Sequence, residues 1–242
     1  DHPAVSGVSA AQDGGPVAGT TASSRSPYTL AIAADTDRSL VRGWLWLGLL
    51  ALIVSGVYSI LLVASRTPGI NAMLPVADFF RVALVVHVDL SVLVWFLALA
   101  GMLWSLSSRP RVPALGWLAL ALACAGTAML GIAPFAGSGL PIMANYIPVL
   151  DGGMFLYGLA VLGVAAALLV LRSLIAAPAL GMAFDGSDVL RFGLNASVIA
   201  TAVALLAFAA SLWLTPGGLD SQTYYEIAFW GGGHALQFTW TL

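Results

Sequence analysis

His234 stands in the run Trp230-Gly231-Gly232-Gly233-His234-Ala235-Leu236-Gln237-Phe238, inside an apolar stretch from Tyr225 to Leu242. A histidine at membrane depth is costly and marks a functional site by default. Of the three histidines, only His234 and His87 lie in hydrophobic stretches, each in the first half of its segment. The imidazole ring is the commonest side-chain metal ligand and a ready proton carrier.

On a helix, residues four apart share a face. Around His87 that face reads Ala83, His87, Ser91 and Trp95, small residues that leave room for a large flat group. Haem iron is a standard partner of such an imidazole. The plainer alternative is a histidine bonded to a carbonyl of a neighbouring helix. Asp89, two positions on, points to the opposite side and is either a proton site or a paired structural acid. On the last segment Trp230, His234 and Phe238 share a face. The three glycines before His234 open space for a macrocycle or another backbone, or simply serve close helix packing. They weaken the helix by about 1 kcal/mol each relative to alanine. Glu226, two turns earlier near the outer interface, reads as a solvated residue before a proton relay.

Composition says what must position these residues. The chain is 60% hydrophobic and 8% charged, against about 25% charged in soluble domains, so apolar runs of about 20 residues mean membrane helices. Six segments follow one another: 43–65, 79–106, 114–133, 147–171, 189–214 and 225–242. The last has 18 residues, about 27 Å of helix against about 30 Å of hydrocarbon. Residues 1–38, rich in Gly, Ala, Ser, Thr and Pro and including His2, are expected to be a disordered tail. Residues 39–242 form the membrane domain, expected to be cut short after its sixth span because the chain stops on Thr241-Leu242 without flanking charge.

Arginines set the orientation, since there is no lysine. With the amino terminus cytoplasmic, that side carries Arg25, Arg38, Arg42, Arg109, Arg111, Arg172 and Arg191, against Arg66 and Arg81 outside. The second and sixth spans then both enter from the outer face. His87, six residues after Arg81, and His234, nine after Tyr225, lie about 9 and about 14 Å deep. Such a placement can serve one layer of cofactors.

Other features are weaker. Asn145 to Asp151 reads as an outer turn entering the fourth span, with Pro148 suited to a helix start. Trp44, Trp46, Trp104, Trp117 and Trp213 read as an aromatic belt near span ends. Cys124, the single cysteine, reads as an inert buried hydrophobe. The sequence contains no Gly-rich phosphate loop, CxxC pair or Ser/His/Asp arrangement. No basic surface suggests nucleic acid.

These residues together resemble the catalytic subunit I of the haem–copper oxidases, over roughly residues 40–242. Arg81 to His87, with Asp89 to Trp95, resembles the family's second helix, whose histidine is an axial ligand of low-spin haem. Trp230-Gly231-Gly232-Gly233-His234 resembles the sixth helix, where a tryptophan four residues before a histidine marks the first ligand of the active-site copper. The turn 145–151 also resembles family members.

The resemblance implies an all-α, polytopic transmembrane helical bundle holding the first six helices of that fold. It implies a respiratory terminal oxidase of the bacterial inner membrane. Low-spin haem would pass electrons to a high-spin haem and copper that reduce dioxygen to water with proton uptake. Other oxidase subunits, further carboxy-terminal helices, membrane lipid, and cytochrome c or quinol as donor would be partners. Phe238 stands where the best-known branch has a cross-linked tyrosine, so the likeness is to other branches. The remaining copper and haem histidines are expected beyond residue 242, which leaves one ligand per site here. A nitric-oxide-reducing relative with non-haem iron, and a non-redox transporter or structural subunit, are the competing readings.

Overall fold

The computed structural model describes residues 29–30, 32–70, 78–137, 139–178 and 186–242. His2 and most of the expected tail lie outside them. The first helix, α1 (Arg38–Ser65), begins five residues before the apolar run. Asp37 causes this: its carboxylate accepts the Ser39 and Leu40 amides at 3.1 and 3.0 Å, satisfying first-turn donors. The second span runs Phe79–Ser107 as α2 (Phe79–Val88), a π-helical segment (Asp89–Val94) and α3 (Trp95–Ser107). Next come α4 (Pro113–Ile132), opened by proline, α5 (Gly153–Ala176), α6 (Gly186–Leu214) and α7 (Ser221–Thr241). Asp220 caps α7 by accepting the Thr223 amide at 3.0 Å.

The described residues form a mostly helical bundle, interrupted between α4 and α5 by one short ribbon. Residues Leu140–Ile142 (β1) and Val149–Asp151 (β2) pair antiparallel, with Pro141 opposite Leu150. Pro148 therefore leads into a strand, and α5 starts only at Gly153. The apolar residues Ile147, Val149 and Leu150 are buried, and burial in a short ribbon satisfies them as well as a helix would.

Among the described residues five helices are long and apolar enough to cross a bilayer, the pattern of a multi-pass membrane protein. The sixth segment does form a helix of 21 residues, yet it is absent from those five. Gln222, Glu226, three glycines, His234, Gln237 and three threonines dilute its hydrophobicity.

Neighbouring helices run antiparallel. Ser55 meets His87, and a Cβ on Gly101 would come within 2.5 Å of the Trp44 indole, so α1 runs against the second span. A Cβ on Gly126 would lie 2.8 Å from the Gly158 carbonyl, and one on Gly116 2.8 Å from Arg172, which places α4 against α5. Tyr58 donates to the Gly131 carbonyl at 2.6 Å and Leu40 sits over Gly116, so α1 and α4 run parallel. Thr201 and Thr239 share a hydroxyl hydrogen bond of 2.9 Å and Phe208 covers Gly232, so α6 runs against α7.

Two side-chain expectations change. Trp44 and Trp104 are core residues, not belt residues; the Trp104 indole donates to Ser197 at 2.9 Å. Trp46, Trp117 and Trp213 are exposed. Cys124 is exposed and not buried, because the α4 face that packs inward is the Gly116, Ala119, Ala123, Gly126 one.

Candidate functional site

His87 ends its α-helix one residue before Val88, where the chain changes from α to π winding. Such π segments loosen the carbonyl ladder and recur at functional sites. Here the His87 carbonyl accepts two hydroxyls, Ser91 at 2.7 Å and Ser55 at 2.9 Å. The imidazole faces α1 in return: Nδ1 lies 2.9 Å from the Ser55 carbonyl. A carbonyl only accepts, so Nδ1 carries the proton and the lone pair of the neutral ring is on Nε2. Among the described residues Nε2 has no hydrogen-bond partner. The ring is half-buried.

The expected open face around His87 is partly filled. Ala83 is fully buried, and Trp95 lies 3.0 Å from where a Gly48 Cβ would stand on α1. The plain alternative for His87, a bond to a neighbouring helix's carbonyl, is thus present. It is also the arrangement that fixes the tautomer of a metal-bound histidine.

Asp89 does not orient His87. It is 1% exposed, and among the described residues neither carboxylate oxygen has a hydrogen-bond partner. Among those residues, then, the pair expected of a structural acid is not present.

At His234 the same tautomer device recurs within one helix: Nδ1 lies 2.9 Å from the Trp230 carbonyl, and the Trp230 ring tilts against the imidazole at 4.3 Å. The Nε2 end differs from that of His87. The Tyr146 hydroxyl lies 2.9 Å from Nε2 and 2.7 Å from Nδ1. An oxygen that close to both nitrogens lies over the face of the imidazole rather than in line with either lone pair.

Two of the three glycines are occupied from within the chain. Phe208 fills the space at Gly232 and the Tyr146 ring fills that at Gly233. Gly231 has only Ser211, at 3.9 Å. The glycine run therefore serves close aromatic packing, and any macrocycle would have to meet His234 from elsewhere. Glu226 is tied to the hairpin turn rather than merely solvated: it accepts Asn145 and Gln222, each at 2.9 Å.

The two histidines share neither a hydrogen bond nor a ring contact among the described residues. Their relative depth follows from Phe96 and Trp240, whose rings stack at 4.6 Å. Trp240 adjoins the Thr201–Thr239 pair, and Trp104 meets Ser197 one turn earlier on α6. So α3 and α7 both run against α6 and with each other. Counting back nine residues to His87 and six to His234 gives heights of about 14 and about 9 Å above that level.

Sequence reasoning missed Ser55 and the role of Tyr146. Ser55 had one weak signal, a hydroxyl in a mostly apolar run that also carries Tyr58 and Ser59. Tyr146 had another, its place in the turn that stood out between two spans.

The chain is similar to an uncharacterized protein of Rickettsia prowazekii (strain Madrid E), 28% identical over 240 residues, covering 85% of this chain and 45% of the relative. It is also similar to an uncharacterized protein of Aquifex aeolicus (strain VF5), 29% identical over 195 residues, covering 81% and 49% respectively. The chain spans about half the length of these curated relatives. No family model matches the chain, and no solved structure matches it significantly.

Proposed function

We propose that this chain is the haem-carrying membrane part of a respiratory oxidoreductase of the haem–copper kind, with His87 as an axial ligand of low-spin haem. One observation carries the reading. His87 gives its Nδ1 proton to the Ser55 carbonyl and keeps the Nε2 lone pair free, the state a metal-binding imidazole needs. A haem with two imidazole ligands supplies one-electron transfer without binding gas. This chain's residues do the rest: the Ser55 carbonyl fixes the ring's orientation and raises its basicity, and α1 shields one side of it.

Copper fits less well. Among the described residues no three His, Cys, Asp or Glu side chains come together, and the Tyr146 phenol lies against the ring of His234. His234 brings at most one ligand, and no step is derived through copper. Dioxygen as substrate, cytochrome c or quinol as donor, partner subunits and a place in the bacterial inner membrane with a cytoplasmic amino terminus belong to the same proposal. The resemblance of the His87 and Trp230-to-His234 segments supports them. A nitric-oxide-reducing relative, with the same scaffold and non-haem iron in place of copper, is the competing redox reading.

The test is a reduced-minus-oxidised visible spectrum of the full-length protein in membranes. A low-spin haem band is expected in wild type and absent in His87→Ala; a spectrum without haem overturns the reading.

Asp89 favours a second reading. A buried, unpartnered carboxyl in a π segment of a membrane span suits a proton- or cation-carrying site. A transporter would lose ion flux in Asp89→Asn vesicles and show no haem band, whereas a redox protein shows the band.

A further inference from the structure

We propose that the groove between α1 and α4 is a phospholipid site, with an acyl chain lying between the helices and the phosphate of an anionic headgroup on Arg42. The inference is independent of the haem reading and stands whatever His87 binds.

The groove exists because two parallel helices touch at two levels and part between them. Towards their starts, Leu120 of α4 fills the space that Gly43 leaves on α1. Towards their ends, the Tyr58 hydroxyl closes on the Gly131 carbonyl at 2.6 Å. Between these contacts lies a groove of about 400 Å³. Leu50, Ala51 and Val54 line it from α1, Cys124 and Ala128 line it from α4, and the buried Leu90 of the π segment forms its floor. Trp46 and Leu50, both lining residues, are 61% and 54% exposed, so the groove opens outward and not into the core. On a membrane span the outward side meets lipid tails. A lining this apolar offers water few partners, and an unfilled groove forfeits dispersion contacts. Hydrocarbon fills it best.

Charge selects the kind of hydrocarbon. Positions four apart share a helix face, and Arg38, Arg42, Trp46 and Leu50 form one such stripe on α1. Arg42 is thus the next position after Trp46 towards the start of the helix, and it is exposed. Among the described residues Arg42 forms no ion pair. Asp37, the acid at the head of α1, is already engaged by the Ser39 and Leu40 amides and the Trp117 indole. Over the eight positions from Arg42 to Leu50, about 12 Å of helix, the stripe passes from cation to amphipathic indole to alkyl side chain. A phospholipid presents the complementary order: phosphate, interfacial region, acyl chain. Basic sites between spans hold anionic headgroups in this way.

Cys124, on the wall of the groove, reports its occupancy. The full-length protein is delipidated in non-ionic detergent, and N-ethylmaleimide labelling of Cys124 is followed by peptide mass spectrometry. Phosphatidylglycerol, phosphatidylcholine or inorganic phosphate is then added. Phosphatidylglycerol is expected to slow labelling at least threefold in wild type. Phosphatidylcholine should protect less, and inorganic phosphate, which has no chain, should not protect. Arg42→Gln should lose most of the phosphatidylglycerol effect, whereas Arg109→Gln, on an exposed arginine between α3 and α4, should keep it. The comparison of the two lipids on wild type stays decisive if Arg42→Gln fails to fold. Equal labelling with and without phosphatidylglycerol, equal protection by phosphatidylcholine, or full protection in Arg42→Gln would overturn the proposal. A Cys124 that stays unlabelled under every condition would overturn it too, because protein then covers the groove.

Discussion

Ser55 and His87 exchange two hydrogen bonds across α1 and the second span: the imidazole Nδ1 reaches the Ser55 carbonyl, and the Ser55 hydroxyl reaches the His87 carbonyl, each at 2.9 Å. The pair locks a ring and a backbone at the one place where the span changes its winding. It leaves Nε2 as the chemically open end of His87. His234 solves the same tautomer problem with its own helix's carbonyl, and the Tyr146 phenol lies against its ring.

The anchor of His87 is a backbone oxygen, so removing the serine side chain should not release the ring. Ser55→Ala is expected to keep the low-spin band that His87→Ala loses. The His87 carbonyl would still accept Ser91. Equal loss of the band in both variants would show that the hydroxyl, and not the carbonyl, sets the ring.

Gly126 and Gly158 bring α4 and α5 into backbone contact, the close approach that small residues allow in membranes. Gly126→Ala should force the helices apart and destabilise the protein by about 1–3 kcal/mol. Gly56 on α1 has nothing within 4 Å of its would-be Cβ, so Gly56→Ala should be neutral or stabilise by up to about 1 kcal/mol through helix propensity. Thermal unfolding in detergent separates the two, and a larger loss in Gly56→Ala would contradict the packing described.

Trp104 buries its indole N–H against Ser197. Ser197→Ala leaves that donor without its partner, at a cost of about 1–3 kcal/mol. The double variant Trp104→Phe with Ser197→Ala should recover part of the loss, because both polar groups are then gone. A double variant no more stable than Ser197→Ala would argue against the bond.

Asp220 lies outside the apolar helices, and its hydrogen bonds from the Thr223 side chain and amide hold its carboxyl below the usual aspartate range. A depressed carboxyl contributes stability above the ordinary value of about 3.9 and loses it as pH falls through the lowered one. The protection factor of the Thr223 amide, its exchange slowed relative to an unstructured amide at the same pH, should therefore be high at neutral pH and fall only in strong acid. In Asp220→Ala it should be low at every pH. Protection in the variant would mean that another group caps α7.

How much of this was legible follows from the range of each interaction. Apolar runs and caps are local signals. The spans, Asp37 and Asp220 as helix starts, and Pro113 at the head of α4 all lie within a few residues of what they determine. The cost of a histidine in an apolar run is local too, so His87 and His234 stood out unaided. Ser55 is 32 residues from His87, and Tyr146 is 88 from His234. No period in the chain encodes which carbonyl or phenol will face a ring across those distances. The π segment that turned Asp89 inward, the ribbon in place of an early fifth helix, and the aromatic rings lying in the glycine gaps are likewise products of packing. The sequence by itself determined the membrane helices and the two nitrogen-bearing rings within them. Only tertiary structure decided that the Ser55 carbonyl anchors one ring and that the Tyr146 phenol lies against the other, because both contacts join distant parts of the chain.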